Sequence, residues 1–293
     1  MIPRFAQFPA ALASRSQTTR LGPMRTPSLL AHPDWERPAP VVFWMHGRTV
    51  NKELDPGRYL RWLRAGIATC AVDLPGHGER SDPVMQTPRR TLDVLAQMRA
   101  EIDSIVAALN APEYRGVFDT SRLAIGGMSA GGMIALRRLC DPHPFRCAAV
   151  ECTTGWLGGL YFPQSTDPSG AAAVSPGSIN PRWLVEHDPQ TVRQLDAMEH
   201  LAAFRPIPLL ALHSRADQVV PFDTMERFID RLREHYVQLH ARPEMIELHA
   251  FGPTGAPQEH AGFGRLSNDA KNIQTAFLSR ELGAIPCDLD AAG

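Results

Sequence analysis

The chain has 293 residues, 30 Lys and Arg against 31 Asp and Glu, a formal net charge of −1 and 44% hydrophobic residues. Near-neutral charge argues against nucleic acid or an anionic membrane surface as the main partner, and the apolar content is that of a globular protein with a full core. No apolar run approaches the roughly 18 residues of a membrane span. The five cysteines, Cys70, Cys140, Cys147, Cys152 and Cys287, form no C-x-x-C pair; they read as reduced buried thiols, with no zinc site, and a cytoplasmic location is expected.

Met1 to Arg20 carries three arginines and no acid. This fits a transit peptide in composition, but Pro3 and Pro9 spoil the amphipathic helix such a peptide needs. Residues 1–39 therefore read as an N-terminal arm and edge segment, and 40–293 as the main domain. From Pro40 onward, strand and helix patterns alternate. Val41–Met45 is a continuous apolar run of the kind a buried parallel strand shows. A helix follows from Pro56 to Ala65, with Pro at its first turn, then a strand over Gly66–Val72 and a helix over Thr91–Leu109 at a 3.6-residue period. Further strands are expected at Leu123–Ile125, Phe145–Val150, Pro208–His213 and Glu244–His249. One helix face is marked by Phe222, Met225, Phe228, Ile229 and Leu232, and a closing helix runs over Arg265–Leu282. Repeated βα units predict an α/β fold: a mainly parallel sheet with helices on both faces. The alternation breaks once, between about 153 and 206, in a stretch rich in Gly, Pro and Ser. Asp188-Pro189 opens a helix there that runs to about Phe204. The stretch reads as a small cap inserted after the sixth core strand.

Gly127-Met128-Ser129-Ala130-Gly131 sits between a strand and a helix. In that setting a G-x-S-x-G turn lifts the serine hydroxyl into the open at the start of a helix. Ser129 is the candidate nucleophile. Its base should lie on a late loop at the carboxyl end of a strand, which selects His260. His249 lies within a strand and reads as a packed side chain; His235 and His240 belong to a helix and its end; His77 precedes the nucleophile. The base needs a carboxylate to hold its tautomer. Asp217 follows a strand and fits, Asp223 reads as a first-turn residue of the next helix, and Glu151 is a weaker candidate. The backbone N–H groups of Ala130 and of Arg48, in the loop after Met45, are the expected oxyanion donors. The Arg48 side chain can also place a guanidinium near a substrate anion, or simply face solvent. Trp156, Tyr161 and Trp183 are candidate pocket-lining residues, or simply cap core. Cys152 reads as a structural thiol. Asp73-Leu74-Pro75-Gly76-His77-Gly78-Glu79-Arg80 lacks the Gly-Lys-Ser/Thr of a phosphate loop and reads as a structural turn.

Met45-His46-Gly47, the Asp73–Arg80 turn, Ser129-Ala130-Gly131-Gly132, the Asp217 segment and His260 together resemble the α/β-hydrolase superfamily. Within it they are similar to the branch of dienelactone-hydrolase-like esterases and prolyl-oligopeptidase-type serine hydrolases. The resemblance covers roughly residues 40–282. Two departures, serine where dienelactone hydrolases proper carry cysteine and no large N-terminal propeller, favour a stand-alone esterase. It implies a cofactor-free and metal-free serine hydrolase acting on a small-molecule carboxylic ester. A thioesterase or amide/peptide hydrolase with the same triad, and a catalytically silent binding protein, are the alternatives.

Overall fold

A computed structural model describes residues 7–162 and 179–289. Among these residues, eight strands form one sheet in the order β1-β2-β4-β3-β5-β6-β7-β8. The strands are β1 (Ser16–Leu21), β2 (Thr26–Ala31), β3 (Ala39–Met45), β4 (Ala68–Val72), β5 (Phe118–Met128), β6 (Cys147–Glu151), β7 (Leu209–Ser214) and β8 (Ile246–Phe251). From β4 through β8 every pairing is parallel; β1–β2 and β2–β4 are antiparallel.

Part of the segment read as an arm is therefore sheet. Ser16–Leu21 is mostly polar because β1 is an edge strand and buries little besides Leu21. β2 is buried throughout, and Pro27 lies near its start, one residue before the ladder with β4 begins with Ser28 opposite Val72.

Among the described residues, eight α-helices surround the sheet: α1 (Ala10–Ala13), α2 (Pro56–Arg64), α3 (Thr91–Ala108), α4 (Ala130–Arg138), α5 (Gly158–Tyr161), α6 (Pro189–Leu195), α7 (Phe222–Gln238) and α8 (Ser267–Leu282). The two-residue period of β3 sends Val41, Phe43 and Met45 into one apolar layer with α3, α4 and α7. It sends Val42 and Trp44 into the opposite layer, with α2 and α8. The sheet is thus covered on both faces, and its strand ends are the place left for a site.

Two expectations need correction. The helix expected from Asp188 to Phe204 stops at Leu195. Asp188 does cap it, accepting from Gln190 and Thr191 N–H. But Asp196 turns extended and its carboxylate accepts from Gly158 and Met198 N–H instead, so the chain re-enters only as a 3₁₀ turn over Met198–Ala203. His249 is not packed: β8 is the other edge strand, and the His249 side chain is 42% exposed beside Glu247.

Candidate active site

β5 ends at Met128, and Ser129 takes φ +52°, ψ −116° before α4 begins at Ala130. Non-glycine residues avoid this region, at a cost of about 1–3 kcal/mol. The surroundings impose it. Ser129 N–H donates to the Glu151 carbonyl (2.9 Å), and Thr153 Oγ1 donates to the Ser129 carbonyl (2.7 Å). The flanking glycines let the end of β3 press against the turn: a Cβ on Gly127 or Gly131 would lie 2.6 Å or 2.2 Å from the Met45 carbonyl oxygen. This close approach also brings the loop after β3 to the serine.

Ser129 Oγ lies 2.9 Å from His260 Nε2, and His260 Nδ1 lies 2.8 Å from Asp217 Oδ2. The three side chains, from three different strand ends, thus form one continuous hydrogen-bonded chain. Asp217 Oδ1 accepts from the N–H groups of Val219 (2.8 Å) and Val220 (2.9 Å). His213 Nε2 stands 3.4 Å from Oδ2. Burial alone would raise the Asp217 pKa; the bonds from His213 and His260 outweigh it and hold it at about 2. The group facing His260 Nδ1 is therefore an anion at neutral pH.

The other candidates for the acid are engaged elsewhere. Asp223 is exposed in the first turn of α7. Glu151 receives two bonds from the Arg58 guanidinium, at 2.7 and 3.0 Å. His77 is buried, with Nδ1 2.8 Å from the Pro75 carbonyl. Cys152 lies beside the pair: its sulfur and the nearest His260 and Asp217 ligand atoms fall within 4.8 Å of one another. This is the one such trio among the described residues, and two of its members are already bonded to each other. Burial, then the charges of Glu151 and Asp217, push the Cys152 thiol well above its usual pKa, so it is a poor nucleophile.

The loop after β3 is anchored by charges inside the protein. Lys52, 1% exposed, places Nζ 2.7 Å from Asp73 Oδ2 and 2.7 Å from Glu79 Oε1. Asp73 also accepts from the Lys52 and Glu79 N–H groups. His46, whose pKa burial lowers to about 4, accepts from Leu74 N–H. The Asp73–Arg80 turn is thus the brace of the neighbouring loop. Gly47 packs so near that a Cβ there would sit 3.4 Å from Ser129 Cβ. The backbone N–H groups of Arg48 and Ala130 have no hydrogen-bond partner among the described residues.

A cavity of about 470 Å³ opens beside Ser129 and His260. Among the described residues it is lined by Trp44, Tyr59, Leu54 and Met128 and by several charged side chains. Trp156, Tyr161 and Trp183 are not among its lining residues. They are buried in the main apolar cluster, where Trp183 Nε1 donates to the Val219 carbonyl and its ring meets Tyr161 edge-on. Their apolar bodies settle inside the inserted segment instead, and that segment reaches the cavity through Arg182. Sequence reasoning also passed over Glu259. Its carboxylate accepts from Thr254 N–H and Oγ1, Gly255 N–H and Ser214 Oγ, tying down the loop that presents His260. Its position next to His260 was the one available signal.

The mainly parallel sheet, the strained serine turn and the order Ser129, Asp217, His260 along the chain define an α/β-hydrolase. Residues 58–283 match the prolyl oligopeptidase family, and the chain belongs to it. Esterase YjfP of Escherichia coli is 29% identical over 215 residues, 71% of this chain and 81% of that one; a putative esterase of Bacillus subtilis, YitV, is 25% identical over 72% of this chain and 80% of its own. Among solved structures, TT1662 from Thermus thermophilus superposes with a TM-score of 0.65 at 23% identity, over 92% of this chain and 99% of that one. A puromycin-hydrolyzing peptidase of Mycobacterium tuberculosis gives 0.62 at 20% identity, and 41% of its chain is covered. Family and relatives make this chain a serine hydrolase.

Proposed function

We propose that this chain hydrolyses small carboxylic esters through an acyl-serine intermediate. The observation that carries the reading is the unbroken hydrogen-bond chain from Ser129 through His260 to Asp217 at the cavity wall. Ser129 Oγ attacks the ester carbonyl carbon as His260 Nε2 takes its proton. Asp217 holds the His260 tautomer and stabilises the imidazolium. The Arg48 and Ala130 N–H groups, which lack partners among the described residues, receive the developing oxyanion. The tetrahedral intermediate collapses, the C–O bond to the alcohol breaks, and His260 returns the proton to the leaving alkoxide. Water then repeats the sequence in reverse roles and frees the acid and Ser129.

The names of the bacterial relatives support an ester; the family match supports an amide as the second reading, with the same residues in the same roles. The test is a panel of 4-nitrophenyl esters, thioesters and aminoacyl arylamides, with fluorophosphonate labelling of the wild type. Hydrolysis of the esters, label on Ser129 and loss of both in Ser129→Ala are expected. Faster turnover of arylamides than esters would select the second reading. An unlabelled, inactive wild type would leave a binding protein.

A further inference from the structure

The cavity wall holds more positive charge than it neutralises. Among the described residues, Arg48, Arg58, Arg182 and Lys271 line it against two carboxylates, Asp55 and Glu151. Both carboxylates are taken. Glu151 receives the Arg58 fork at 2.7 and 3.0 Å, and Asp55 lies 3.1 Å from Arg58 and 2.9 Å from Lys271. Arg48 and Arg182 have no carboxylate within 4.0 Å among the described residues.

Arg48 is held but not neutralised. Its Nη2 donates to the carbonyls of Met85 (2.7 Å) and Thr87 (3.0 Å), while Nε and Nη1 are buried with no partner. Burial, and then the charge of Arg182, lower its pKa to about 10, opposed by the nearby Tyr161, so it stays protonated at neutral pH. A half-buried cation with idle donors is costly, and it gains from an incoming anion that both cancels the charge and accepts hydrogen bonds. Arg48 is also the residue whose backbone N–H is assigned to the oxyanion. An anion on its side chain is therefore within one arginine length of the scissile carbonyl. Arg182 comes from the inserted segment, is exposed, and lines the same cavity near enough to Arg48 for the two charges to interact.

We propose that the site selects esters carrying a carboxylate on the acyl or the alcohol portion, bound by the guanidinium groups of Arg48 and Arg182. This rests on the serine-hydrolase reading above. A guanidinium discriminates a carboxylate from a neutral group of the same length by charge-assisted hydrogen bonds, which sets the expected preference at about tenfold or more.

Two matched pairs test it. In one, the acyl group differs: mono-4-nitrophenyl glutarate against 4-nitrophenyl pentanoate. In the other, the leaving group differs: the butyrate esters of 4-hydroxyphenylacetate and of 4-cresol. The carboxylate member of at least one pair should have a kcat/KM about tenfold higher at low ionic strength. The advantage should shrink as salt is added, and Arg182→Gln and Arg48→Met should each cut the ratio within the pair several-fold. Equal or faster turnover of the neutral member in both pairs overturns the proposal while leaving ester hydrolysis standing. Should no ester turn over, the hydrolysis reading falls. The anion site is then judged by calorimetry with glutarate alone: binding to the wild type and not to Arg182→Gln supports it, and absence of binding to the wild type overturns it.

Discussion

Ser129 separates two kinds of electrostatics. On its acid–base side every charge is answered: Asp217 has two backbone donors and two histidines, and Glu259 has four donors around it. On its cavity side Arg48 keeps two buried donors without partners. The difference follows from what each side does. Groups that move a proton must hold one geometry through every turnover, so their own partners are built in. Groups that meet a substrate must leave a valence open, and the fold bears the cost until the substrate arrives.

The largest expected effect comes from breaking the closed side. Asp217→Asn keeps the size of the side chain but replaces one acceptor oxygen with a donor. Asp217 Oδ1 and Oδ2 both accept now, so the amide must face either the Val219 and Val220 N–H groups or His260 Nδ1. With His260 in the wrong tautomer, kcat for a 4-nitrophenyl ester should fall on the order of 10⁴-fold. A fall of less than tenfold would mean that Asp217 does not orient the base.

The next tests the frame that carries Arg48. Lys52→Met leaves Asp73, fully buried, with one cation fewer. Removing one partner of a buried pair costs about 3–5 kcal/mol, and chemical denaturation should show it. A loss below about 1 kcal/mol would show that water readily replaces the ammonium.

How much of this could be read from the chain depends on whether the signal is local. The βα alternation from Pro40, the serine turn and the loop position of His260 are local patterns, and the structure brings Ser129, His260 and Asp217 together. Strand β1 was not legible because an edge strand buries too few side chains to show an apolar period. Trp156, Tyr161 and Trp183 read equally as pocket lining or as cap core, because type does not tell a packed aromatic from a lining one, and the structure places them in the core. Lys52 reaches Asp73 across 21 residues and Glu259 reaches Ser214 across 45. Such partners become neighbours only once the strands are side by side.

Acid titration offers a smaller effect on the closed side. The Asp217 pKa is lower in the fold, at about 2, than the 3.8 of a freely solvated aspartate. The group therefore contributes stability that is fully present above about pH 4 and is lost as pH falls toward 2. The contribution is about 2 kcal/mol. Denaturant midpoints measured from pH 5 to pH 2 should fall less steeply in Asp217→Asn than in the wild type. Parallel slopes would remove Asp217 as a source of acid sensitivity.

The smallest effect separates holding the base from being the base. Glu259 touches neither Ser129 nor Asp217, yet Gln258 and Glu259 both carry positive φ, 53° and 52°, immediately before His260. The loop keeps that strained path while the Glu259 carboxylate gathers Thr254, Gly255 and Ser214. Glu259→Gln retains one acceptor oxygen and turns an amide N–H₂ toward donors that have nowhere else to go. His260 should then sample off-line positions, lowering kcat by about tenfold, with KM nearly constant, because displacement of a catalytic group by a fraction of an ångström is felt in the transition state before it is felt in binding. Glu259→Asp, shorter by one methylene but still a carboxylate, should recover part of the loss. An equal loss in both variants, or a rise in KM with kcat unchanged, would place Glu259 in substrate binding instead.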